Sequence, residues 1–396
     1  MGVSLSTIQR AEAGKRVSAY VRRKICDFFG EEYHRPVDPL ELGLVYEKRY
    51  EGNKERHVER RRSGQDTQHE ASDLFQLATL NPMVTTRHYN ITRKMIVEAE
   101  SRTKDLWRYL PPIANVVDEG FLIFVDENLK LLRLLLGKSP GLSIDMRLYS
   151  SYSETAQIAG TLLYSLKRHA EAEIFFRIAI EYAQKASNQA LRAVALGRIG
   201  NFLIDTGRAN EALDPLEDAN RIAKGCTTPT VCSWLVASEA DALASIGQAS
   251  ACDKALGGAE DLASQMSPGQ DLYFTLFDAP WLNGYKGACY GRLGRTHDVS
   301  GAQTALKQAL EHLDPTSIFR QSSLLKDLAL AYSLERNIDE ACRCGHQAIN
   351  RAEQTHAPME LQHIQNFSQR YLKPWKDNRT VKNLNDRLWS VRSKLD

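Results

Sequence analysis

The stretch ALGRIGNFLIDTGRANEALDPLEDA, residues 195–219, decides the fold. Two runs of helical periodicity flank Thr206-Gly207-Arg208, and small residues recur at fixed places: Gly200 in the first run, Ala212 and Ala219 in the second. The same arrangement occurs five times. With the second-run small residue as marker, the copies fall at Ala172, Ala212, Cys252, Ala302 and Ala341, in steps of 40, 40, 50 and 39. Four residues after the marker stand Phe176, Leu216, Leu256, Leu306 and Gly345, and three further Ala179, Ala219, Ala259, Ala309 and Ala348. Twelve residues before it the first run carries Gly160, Gly200, Ala240 and Ala329; the fourth copy uses Gly287, farther from its marker, which reads as a longer turn between its helices.

Small residues at such points let two antiparallel helices approach, and the larger ones are expected to plug into the neighbouring copy. One such hairpin cannot bury its apolar face alone, so the copies must stack. Between the runs stand Leu166-Lys167-Arg168, Thr206-Gly207-Arg208, Ile246-Gly247-Gln248, Leu293-Gly294-Arg295 and Glu335-Arg336-Asn337. Each offers a helix-stopping Gly or a polar residue in its place. This pattern, over roughly residues 150–355, resembles the tetratricopeptide repeat (TPR). The resemblance implies an all-α, right-handed α-solenoid with a ligand-binding trough along its concave side. The period exceeds the usual one, which the sequence attributes to long links between hairpins such as Thr227-Thr228-Pro229.

Composition agrees with this class. The chain has 396 residues, 43% hydrophobic and 25% charged, ordinary for a globular protein yet long for one compact core, and a solenoid has no such limit. No stretch alternates as strands do. Residues 129–136 form the most apolar run, but Lys130 and Arg133 interrupt it, so no membrane span is expected. Seven scattered cysteines and the absence of a secretory signal point to a reduced cytoplasmic setting.

The formal net charge of +2 hides an asymmetry, since residues 1–30 hold six cations against two anions. There Gly2-Val3-Ser4 suits a turn with an N-cap, Leu5 to Ala13 a helix, and Gly14 its stop, followed by Lys15-Arg16. A second helix follows from about Ser18 to Phe29. Gly-Val-Ser, Thr-Ile-Gln-Arg and Glu-Ala-Gly-Lys-Arg together resemble the turn and recognition helix of a phage-repressor-like (XRE-type) helix-turn-helix domain. The resemblance implies that Leu5, Ser6, Gln9 and Arg10 face bases in the major groove, while Ser4, Lys15 and Arg16 hold phosphates. That family's domain has two helices before this turn and the chain starts at the turn, so the head is read as incomplete.

The resulting division is a truncated helix-turn-helix head at 1–46, a charged linker at 47–70, degenerate capping hairpins at 71–148, five repeats at 149–355 and capping helices with a polar outer face at 356–396. Leu74 to Leu80 and Met95 to Leu110 supply helical stripes before a stop at Pro111-Pro112, and residues 113–136 read as a further helix pair.

Signatures of chemistry are missing. The sequence has no phosphate loop, no dinucleotide fingerprint, no His-Glu-x-x-His and no Gly-x-Ser-x-Gly. Cys342, Cys344 and His346 have the wrong spacing for a zinc knuckle, so packing is favoured over a metal. Neither cofactor nor catalytic residue is expected. Counted from the packing glycines, the concave face should present Gln157, Thr161 and Tyr164; Arg198, Asn201 and Ile204; Trp234, Ala237 and Asp241; Trp281, Gly284 and Ala288; and Lys326 and Leu330. The carboxamide of Asn201 suits the N–H and C=O of an extended peptide. Asp241, Arg198 and Lys326 would set charge preference, and Tyr164, Trp234 and Trp281 apolar pockets. The expectation is a transcriptional regulator whose DNA-reading head answers to a peptide or protein in the trough, as a homodimer. The alternative is a TPR scaffold without a DNA role.

Overall fold

A computed structural model describes residues 93–114, 120–138, 141–267, 271, 273, 275–294 and 296–395. The head, the charged linker and the Leu74–Leu80 stripe lie outside the described residues. Within them the chain is all-α, without a strand: α1 (Arg93–Ala114), α2 (Gly120–Leu136), α3 (Leu142–Ser165), α4 (His169–Lys185), α5 (Gln189–Asp205), α6 (Ala209–Ala223), α7 (Pro229–Ser245), α8 (Ala249–Ala263), α9 (Ala279–Leu293), α10 (Thr296–His312), α11 (Ile318–Leu334), α12 (Ile338–Gln354), α13 (Pro358–Tyr371), a 3-10 turn (Lys373–Trp375) and α14 (Arg379–Leu395). Instead of the helix pair read at 113–136, α1 continues through Pro111-Pro112 and a single helix, α2, follows. None of the described helices is long and apolar enough to cross a membrane.

The five copies are the hairpins α3/α4, α5/α6, α7/α8, α9/α10 and α11/α12, stacked as a TPR-like solenoid. All five markers and all five following alanines are fully buried. In three of the copies glycine is needed where the helices touch. A Cβ on Gly200 would lie 2.6 Å from Leu216, one on Gly287 2.4 Å from Leu306, and one on Gly160 2.8 Å from Phe176. In these three copies the large residue plugs into its own hairpin, which corrects the sequence reading, whereas Gly345 of the fifth copy receives Leu384 of α14. A different set joins neighbours: Gly197 of α5 receives Leu235 and Trp234 of α7, and Gly284 of α9 receives Leu324 of α11. Burial of each such Leu or Phe contributes about 1.5–3 kcal/mol, the main term holding the stack together.

The turns follow from backbone chemistry. Gly207, Gly247 and Gly294, and also Lys167 and Arg336, adopt positive φ between 62° and 81°. Arg208 N donates to Leu203 O at 2.7 Å and Gly207 N to Ile204 O at 2.9 Å, so the last carbonyls of α5 are satisfied in the Schellman manner. Lys167-Arg168 and Arg336-Asn337 do the same without glycine. The 40-residue period comes from helix length rather than from long links: α4 and α5 have 17 residues each, joined by three-residue connections. Likewise the fourth copy has no longer inter-helix turn, since Gly294 and Arg295 alone separate α9 from α10. Its extra residues form an added turn of helix before Ala302, and the long step before it reflects the link at 264–278.

One repeated contact escaped the sequence reading. Ser153 Oγ donates to Ala179 O at 2.7 Å, Ser233 to Ala259 O at 2.7 Å and Ser322 to Ala348 O at 3.1 Å, each 26 residues apart and buried. Before the first hairpin, α1 and α2 pack on α3. Asn128 Nδ2 donates to Thr103 Oγ1 and Thr155 Oγ1, both at 2.9 Å, and so ties the three helices at a buried point.

Candidate ligand-binding face

The first helices of the hairpins share the inner side of the stack, and contacts that skip a hairpin establish this. Asn201 Nδ2 on α5 donates to Tyr285 OH on α9 at 3.3 Å, across 84 residues and over the intervening α7. Only the inner side of a tightly curving stack brings such helices within reach. Ser238 Oγ on α7 lies 3.4 Å from the same hydroxyl. The curl goes further still: Tyr164 OH on α3 and His363 Nε2 on α13 share a hydrogen bond of 3.1 Å, 199 residues apart. The trough expected to be open along its length is thus bridged by its own side chains.

All eight groove residues singled out from the sequence sit on these first helices, and each already has an intramolecular partner. Arg198 Nε donates to Gln157 Oε1 at 2.9 Å, and its Nη2 donates to Tyr273 O at 3.0 Å. Its guanidinium carbon stands 4.6 Å from the Trp107 ring centre and 6.0 Å from that of Trp234. Burial draws this guanidinium down to about 10, opposed by Asp271 and Glu154. Beside it, Trp107 Nε1 donates to Glu154 Oε2 at 3.1 Å, and burial lifts the Glu154 carboxyl to about 7. Trp281 stacks under Arg320 at 4.5 Å and meets Tyr285 edge-on at 6.2 Å.

Charged pairs occupy the other half of the face. Asp241 pairs with Arg292, and Lys326 Nζ pairs with Asp327 at 3.0 Å. Burial raises the Asp241 carboxyl, and Arg292 only partly offsets that. Burial pulls Arg292 down, yet Asp241 and Asp327 together hold it above its ordinary value. Burial likewise lifts the Tyr164 phenol well up, with Asp205 and Glu360 adding to the rise. Glu360 is 2% exposed, its Oε2 has no hydrogen-bond partner, and its Oε1 lies 3.6 Å from His363 Nδ1. Four carboxylates (Asp205, Asp241, Asp327, Glu360) against Arg292 and Lys326 leave this half acidic.

Of the remaining positions, Ile204, Ala237, Ala288 and Leu330 are 0–8% exposed and serve packing. Thr161 Oγ1 donates back to Gln157 O at 2.9 Å, within its own helix. Sequence reasoning missed Tyr285, Arg292, Asp327, Glu360 and His363. Arg292 was within reach, because it stands five residues after Gly287 as Asp205 stands after Gly200. The DNA-facing residues Ser4, Leu5, Ser6, Gln9, Arg10, Lys15 and Arg16 lie outside the described residues. Among the described residues no three His, Cys, Asp or Glu side chains gather as a metal set, and Cys342 and Cys344 are buried in packing.

No protein-family model and no curated protein matches the chain. Among solved structures, it is similar to the crystal structure of a Rap protein complexed with competence and sporulation factor. The two share 13% identity and a TM-score of 0.47, covering 75% of this chain and 88% of that one.

Proposed function

We propose that the protein works by binding rather than by catalysis, as a regulator that takes an extended peptide or a protein segment on its inner face. The observation that carries this reading is the Asn201–Tyr285 bond across the curl. It holds a carboxamide, able to donate and accept at once, on the inner face opposite a phenol. A peptide backbone offers the same donors and acceptors, so it can replace the internal bond without leaving a buried group unsatisfied. The acidic balance around Asp241, Asp327 and Glu360 favours a ligand with positive charge, while Arg198 stays committed to Trp107 and Gln157. Such a ligand would favour one curvature of the stack over another, and only that difference in affinity can do regulatory work.

In this reading the N-terminal segment contacts duplex DNA through Gln9, Arg10, Lys15 and Arg16, and curvature sets the spacing of two heads in a homodimer. The test uses the full chain in the two assays together. A random hexapeptide library passed over immobilised protein should yield enriched sequences, and Asn201→Ala should abolish the enrichment. Binding to random duplex should weaken steeply between 50 and 200 mM salt and fall in a Lys15→Ala/Arg16→Ala variant, as phosphate contacts require. Peptide enrichment without any duplex binding reduces the protein to a TPR scaffold; no enrichment at all removes the ligand reading.

A further inference from the structure

The far end of the stack presents a second surface, independent of the inner face. In every internal hairpin the two helices form a seat that the next first helix fills: α5 lies on α3 and α4, α7 on α5 and α6, α9 on α7 and α8, α11 on α9 and α10, and α13 on α11 and α12. After α14, among the described residues, the equivalent seat between α13 and α14 is open, a groove of about 890 Å³. The polar outer face expected at this end is interrupted at one point, where Trp389 stands in the groove with 73% of its surface exposed. The apolar stripe of α14 (Val381, Leu384, Leu388, Val391) is spent on packing, and Trp389 lies one residue off it.

We propose that this groove seats an amphipathic helix of a partner protein that bears acidic residues beside its apolar stripe, docking as one more element of the stack. The helical form follows from the seat, since helices of 14–17 residues fill its counterparts. The sign of the charge follows from the rim. Lys373, Lys376 and Arg392 line it without an ion-pair partner among the described residues, against the single acid Asp386. Gln365 also lines the seat, and its buried Oε1 has no hydrogen-bond partner. An exposed tryptophan in a groove ringed by cations is the composition of an interface hot spot rather than of a solvated end.

The test is fluorescence anisotropy with the full chain and two labelled peptides. Both are 16-residue helices with a leucine stripe; one has glutamates flanking the stripe, the other lysines at the same places. The glutamate peptide should bind at least about tenfold more tightly than the lysine peptide, a difference of about 1.4 kcal/mol. Trp389→Ala should weaken it by about tenfold or more, and Lys376→Glu/Arg392→Glu should reverse the preference between the two. These side chains are exposed or at the rim, and an unchanged thermal unfolding curve checks that each variant folds. Equal binding of both peptides, no binding of the glutamate peptide, or indifference to Trp389→Ala overturns the proposal. So does sedimentation of the chain as a dimer that Trp389→Ala turns into monomers, since a second copy would then be the occupant.

Discussion

Gly207 and Lys167 hold the same place in successive hairpins, with φ of 81° and 62° respectively. A side chain at Gly207 would meet nothing within 4 Å, so Gly207→Ala isolates the left-handed backbone penalty. It should destabilise by about 1 kcal/mol, read as a lower urea midpoint, whereas Lys167→Gly should be neutral or stabilising. Gly287→Ala differs in mechanism, because its Cβ would press to 2.4 Å from Leu306. Overpacking of that kind costs about 1–3 kcal/mol. The Glu154 carboxyl, raised to about 7 by burial, makes a pH-dependent prediction. The folded state binds this proton more tightly than the unfolded chain does, so Glu154 lowers stability as pH rises from about 4.5 to 7, and the penalty is complete above 7. Glu154→Gln, which can still accept from Trp107, should raise the unfolding midpoint at pH 8, with a ceiling of about 3 kcal/mol, and leave it unchanged at pH 4. A midpoint equal to wild type at pH 8 would contradict the burial argument.

At the scale of helices and hairpins, the serine bonds from Ser153, Ser233 and Ser322 join the first helix of a copy to the second. Each Ser→Ala leaves a buried carbonyl with one partner fewer and should cost about 0.5–1.5 kcal/mol by chemical denaturation. This scale was also the most legible in the sequence. Gly160, Gly200 and Gly287 stand where helix axes must approach, and their spacing recurs because each hairpin repeats the same local geometry. The turn at Arg336 was legible for the same reason, since a polar residue stands, as at Lys167, where the other three copies carry glycine. The bonds of Asn201 to Tyr285 and of Tyr164 to His363 were not. Their partners are chosen by curvature accumulated over several hairpins, which no single period records. The serine stitch was hidden differently: Ala193 and Pro280 replace the serine in two of five copies, so the period is broken there.

For the described stack as a whole, the Tyr164–His363 bond joins its first repeat to the helix that follows its last. Tyr164→Phe removes that bond while keeping the ring against Phe202 and His169. Amide hydrogen exchange in α13 should then quicken by about tenfold, with the global unfolding midpoint nearly unchanged, because few other contacts join α3 to α13. Exchange no faster than in wild type would show that the clasp holds nothing.

A clasp of this sort also governs timing. In the proposed reading, a ligand chain that needs the space between α3 and α13 waits for the Tyr164–His363 bond to open. The observed on-rate should therefore level off at high ligand concentration, at a ceiling set by how often the bracelet unfastens.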